Sequence, residues 1–109
     1  MLALTAGAEA QAREVRIYSG RHYNTDRQVF KKFSDETGIK IRLIETTGIS
    51  VIERLKREGA NSKADMILLV DAARINNAAE EGLLQPVTST SLTKDIPANF
   101  RDPGNRWFG

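Results

Sequence analysis

Three times in succession the chain sets down a short apolar run, a break and an amphipathic stretch, and this repetition limits what it can fold into. Residues 15 to 19, VRIYS, alternate apolar and polar side chains, with the β-branched Val15 and Ile17 on one face of a strand. Gly20 ends that run. In the segment that follows, Thr25 to Gln28 (TDRQ) fits a capping box. Val29, Phe30 and Phe33 then share one helical face, Arg27, Lys31, Lys32 and Asp35 fall largely on the other, and Gly38 supplies a left-handed stop. The second unit is IKIRLIE (Ile39 to Glu45), a capping box SVIE (Ser50 to Glu53), and a helix that carries Val51, Ile52 and Leu55 inward and ends near Gly59. The third is MILLV (Met66 to Val70), which reads as a strand buried on both faces, with Asp71 capping an alanine-rich helix that stops at Gly82. From Leu83 onward the chain, with its three prolines, reads as a loop-dominated tail. Strand and helix in alternation predict an α/β fold, a parallel sheet with right-handed crossovers, and 109 residues suit one domain.

Composition removes several function classes. There is no cysteine, hence no disulfide framework, thiolate metal site or thiol nucleophile. The 16 Lys and Arg against 14 Asp and Glu are spread without a block of like charge, which argues against nucleic acid as a partner and against a polybasic membrane surface. No apolar run is long enough to span a membrane. Residues 1–12, MLALTAGAEAQA, differ from the rest: small, weakly apolar, and ending in two overlapping Ala-x-Ala tripeptides, the pattern of a signal-peptide cleavage site without its basic start. They read as the remnant of an export signal or as a disordered alanine-rich terminus.

In a parallel α/β sheet the loops at the carboxyl ends of the strands carry the ligand site, which here means residues 19–25, 46–50 and 70–72. The first contains the sole histidine, His22, beside Tyr23. In regular β structure neighbours point to opposite faces, but in an irregular turn both can address one point. An imidazole nitrogen with a phenolate oxygen suits a hard or borderline metal ion such as iron. A trivalent cation would stabilise the phenolate, and Arg21 would favour it further. The alternative is a hydrogen-bonded histidine beside a half-buried tyrosine. Thr46, Thr47 and Ser50 offer hydroxyls and backbone N–H groups at a helix start, which serve either an anion or simple capping. Asp71 is open between helix cap, metal ligand and acceptor for His22. Tyr18, Trp107 and Phe108 read as packing, and the pairs Asp35-Glu36 and Glu80-Glu81 as solvated faces. No catalytic triad, phosphate loop or HExxH helix is present, so the chain is not read as an enzyme.

The order VRIYSGRHYNTD, FKKFSDETGIKIRLIE, VIERLKREGANSKADMILLVDAARI, EEGLLQPV resembles the N-terminal part of periplasmic ferric-iron-binding proteins, the substrate-binding components of iron ABC transporters. It is most similar to the tyrosine-rich, cyanobacterial-type branch, and the resemblance covers residues 13–109. It implies part of one lobe of a type II periplasmic-binding-protein fold, ferric iron as cargo with ferrous iron as the alternative, a periplasmic location and an ABC permease as partner. It places ligands on Tyr23 first and His22 second, with Arg21, Thr46, Thr47 and Asp71 as cleft or supporting residues. In the branch that draws a glutamate from the first lobe, that acid ends the third strand. The position here is Val70, with Asp71 one residue on, so a histidine-glutamate pair is not expected.

The family's chains are much longer, and their remaining tyrosine ligands lie in a second lobe. The expectation is therefore a fragment-like partial lobe with an exposed apolar edge, which needs a second lobe or another chain to close its site and which alone binds iron weakly or not at all. The competing reading is an anion or small-molecule binding lobe built on Thr46 to Ser50.

Overall fold

One strand, Glu14–Ser19 (β1), is hydrogen-bonded on both edges, and the rest of the chain is arranged around it. In the computed structural model, which describes residues 13–109, the strands Lys40–Glu45 (β2) and Met66–Leu68 (β3) flank it in the order β2-β1-β3, both parallel to it. The export-signal reading falls on residues 1–12, outside those described. The helices are Asn24–Thr37 (α1), Gly48–Glu58 (α2), Ala72–Glu80 (α3) and a short Thr90–Asp95 (α4).

The register explains the two faces of the sheet. Tyr18 pairs with Ile44 and Ile67, so these three look to one side, while Ile17 pairs with Leu43 and Met66 and looks to the other. On the first side Tyr18, Val51 and Leu55 form the buried cluster, joined by Ala64, Ile67, Leu69 and Leu83. Burying a side chain such as Val51, which has no exposed surface, contributes about 1.5–3 kcal/mol. The Tyr18 hydroxyl is not left bare: it donates to Glu58 at 2.9 Å, and the Arg54 guanidinium lies 4.7 Å over its ring.

Several local expectations are corrected. The boxes at Thr25 and Ser50 are not the caps. α1 starts one residue after Tyr23, which occupies the cap position without a side-chain bond, and α2 is capped by Thr47, whose side chain accepts from the Ser50 N–H. Asp71 does cap α3, accepting from the Ala73 N–H at 2.9 Å. Gly38, at φ 74°, closes α1 as expected. α1 buries no residue, and Val29 is 63% exposed, so the expected apolar stripe is only partly covered. β3 is an edge strand of three residues rather than one buried on both faces, with Met66 and Val70 exposed. The segment after Gly82 is loop-dominated as expected, and long-range contacts tie it to the rest of the fold. Besides α4, Arg101 and Phe108 form an antiparallel bridge, Trp107 Nε1 donates to Asn76 at 3.1 Å, and Arg106 reaches the Ala79 carbonyl at 3.3 Å.

Asp102 organises that last segment. It is 3% exposed and accepts from the Arg106 backbone N–H at 3.0 Å and from Arg106 Nε at 2.6 Å. The Arg106 guanidinium holds its carboxyl down at about 2, below the ordinary 3.8. A depressed carboxylate contributes stability above its unfolded-state value and loses it on protonation. The melting temperature is therefore expected to fall as pH drops from about 4 toward 2, and Asp102→Asn should be less stable at pH 7 yet converge on the wild type at the acid end; parallel curves at all pH values would contradict this. A second expectation concerns Gly20. A Cβ there would sit 2.7 Å from the Gly48 Cα, a clash between two backbones. Gly20→Ala should cost about 1–3 kcal/mol in urea denaturation, and an unchanged midpoint would contradict the close approach.

Candidate functional site

The close approach of Gly20 and Gly48 brings the strand-end loops together. Gly20 N–H donates to the Leu68 carbonyl at 2.8 Å and Thr46 N–H to the Ser19 carbonyl at 2.9 Å, so the ends of β1, β2 and β3 meet at one edge. Arg74, on the first turns of α3, lies over Gly48, where an added Cβ would be 2.8 Å from its Nη1. The convergence expected from the sequence is present.

His22 and Tyr23 project from the end of β1 into this edge. The His22 side chain is 60% exposed and Tyr23 is 47% exposed, so neither residue is enclosed by the fold. His22 Nδ1 lies 3.3 Å from Glu45 Oε2. A carboxylate only accepts, so this contact selects a proton on Nδ1 and leaves Nε2 as the nitrogen that can face a metal. This is the arrangement in which metal-binding histidines are ordinarily held. Arg27 in turn binds Glu45, which leaves the carboxylate shared between two donors.

Tyr23 is served by a different pair. Arg21 forms a two-pronged bond to Asp26, at 2.6 and 2.7 Å, and its guanidinium carbon lies 4.7 Å from the Tyr23 ring centre. Each charge supports the other: the Asp26 carboxyl is held below its ordinary value by the Arg21 guanidinium, and the Arg21 guanidinium is held above its own by Asp26.

The remaining sequence candidates divide. Thr47 and Ser50 are used in capping, with Thr47 Oγ1 donating to Ser50 Oγ at 2.9 Å and accepting from the Ser50 N–H at 3.0 Å. Thr46 is half-buried and tied through its backbone to Ser19. Asp71 caps α3; the acceptor for His22 is Glu45. Among the described residues no three His, Asp or Glu side chains gather into a metal cage. Sequence reasoning missed Glu45 and Asp26. Glu45 was within reach, because it is the last residue of β2 and the parallel register sets it beside Ser19, at the base of the turn.

No protein-family profile matches the chain. Among curated proteins it is 47% identical over 104 residues to iron uptake protein A1 of Synechocystis, covering 95% of this chain and 29% of that one. It is 28% identical over 92 residues to the major ferric iron-binding protein of Neisseria gonorrhoeae, covering 84% of this chain and 28% of the other. Among solved structures it superimposes on the Trichodesmium IdiA (FutA) protein in complex with iron and citrate with a TM-score of 0.82 and 48% identity, over 88% of this chain and 30% of that one. The chain thus spans about three tenths of the length of the relatives it matches. Over the residues it covers, the chain is similar in sequence and fold to these iron uptake and ferric iron-binding proteins, and it shares part of their type II periplasmic-binding-protein fold.

Proposed function

We propose that the chain forms one jaw of a ferric-iron clamp in the periplasm, capturing iron for delivery to an ABC permease and performing no reaction on its cargo. The observation that carries this is the placement of Tyr23 and His22 side by side at the shared edge of three parallel strands, exposed and each backed by its own charged partner. Tyr23 is the first ligand, as a phenolate, and His22 the second, through Nε2. Arg21 favours the phenolate form. Thr46 and Thr47 line the same edge, and Asp71 stands at its far side as a helix cap. The named uptake and iron-binding relatives support iron as the cargo, with ferric the state that a phenolate prefers. The donors that complete the coordination sphere belong to a second lobe, so the 109 residues alone bind iron weakly.

The competing reading, an anion or small-molecule lobe built on Thr46 to Ser50, has less to rest on because those hydroxyls already satisfy the start of α2. Titration with ferric nitrilotriacetate separates the two. A weak visible tyrosinate-to-iron band is expected from the wild type, and Tyr23→Phe should abolish it. An intact band in Tyr23→Phe, or no band in the wild type, would contradict the iron reading, and a tight one-to-one complex would overturn the single-jaw account. Glu45→Gln should weaken iron binding by roughly 10- to 100-fold, the usual effect of losing the partner of a ligand histidine. An unchanged affinity would remove His22 from the ligand set.

A further inference from the structure

The turn that carries Tyr23 is fastened at two levels. Ser19, 2% exposed at the end of β1, donates its hydroxyl to the Arg21 carbonyl at 2.7 Å and accepts from the Arg21 N–H at 3.2 Å. The Arg21 side chain is then pinned by Asp26 from the first turn of α1, Nε to Oδ2 and Nη2 to Oδ1. Two parallel bonds fix not only where a guanidinium lies but the plane in which it lies. The guanidinium carbon lies over the Tyr23 ring, 4.7 Å from its centre. Among the described residues the Tyr23 hydroxyl makes no hydrogen bond, and the residue occupies a cap position without capping. Its ring is therefore oriented by the guanidinium on its face, and its oxygen is kept free.

Resting on the ferric reading above, we propose that Asp26 is a positioning residue for Tyr23: by locking the Arg21 guanidinium against the ring, it fixes the direction of the phenol oxygen and tunes its electron donation to iron. A cation on the face of a phenolate lowers the energy of the ring electrons. Charge transfer from that ring to ferric iron then needs more energy. Arg21 keeps its charge when Asp26 is neutralised, but it is no longer held in place. An ion pair that merely steadied the start of α1 would change stability or affinity without moving the energy of that transition.

The test uses two readouts on the full 109-residue chain. In the iron-free protein, the Arg21 Nε–H resonance should exchange slowly and be shifted upfield by the Tyr23 ring. Tyr23→Leu should remove the shift and keep the slow exchange, Asp26→Asn should remove both, and Asp26→Glu should restore both. In the iron-loaded protein, Asp26→Asn should move the tyrosinate band to longer wavelength and Asp26→Glu should bring it back. An Arg21 resonance unchanged in Asp26→Asn overturns the clamp. A released resonance with an unmoved band reduces Asp26 to a helix-end ion pair and overturns the proposal. A wild-type chain with no band at all refutes the ferric reading and the electronic half of this one, while the iron-free spectra still decide whether Asp26 orients the ring.

Discussion

Everything at the candidate site depends on β1 being paired on both edges over residues 17–19. Where Ile17, Tyr18 and Ser19 bond to β2 on one side and to β3 on the other, the backbone has no freedom left, and the turn that follows leaves from a fixed point. Gly20 extends this constraint: it continues the pairing to Leu68 and lets the start of α2 come within contact distance. A side chain there would push the β1 turn and the α2 start apart. The site is thus a consequence of backbone packing first and of side-chain chemistry second.

On that frame the charges are arranged in closed pairs. Asp26 takes Arg21, Glu45 takes His22 and Arg27, and further from the edge Glu58 takes Arg54 and the Tyr18 hydroxyl. Partly exposed pairs of this kind contribute only modestly to stability in water. Their effect is geometric, because each fixes the orientation of an aromatic or imidazole ring. The two tyrosines show the contrast. Both carry an arginine on one face, but Tyr18 is buried with its hydroxyl donating to Glu58, whereas Tyr23 is an exposed residue.

Much of this was legible in the sequence. Alternation in VRIYS and IKIRLIE, the stop at Gly38 and the cap at Asp71 are local signals, and local geometry obeyed them. The start of α1 was misplaced because the backbone leaving β1 is already turned by the Ser19 hydroxyl, so the helix begins before the Thr25 box can act. MILLV looked doubly buried because apolar content says nothing about which strand lies at an edge; only the order β2-β1-β3 does. The roles of Asp26 and Glu45 were invisible for a related reason. Each depends on a contact between separate elements, and an acidic residue in a first helical turn or at a strand end has an ordinary explanation in sequence terms.

The central claim is that an exposed phenol at the end of β1, and not the buried one within it, meets the metal. Resonance Raman spectroscopy of the ferric-loaded Tyr18→Phe chain, excited in its visible band, tests this directly, since only two tyrosines exist in the sequence. Tyrosinate ring modes retained at full intensity are expected; their loss in Tyr18→Phe would contradict the account.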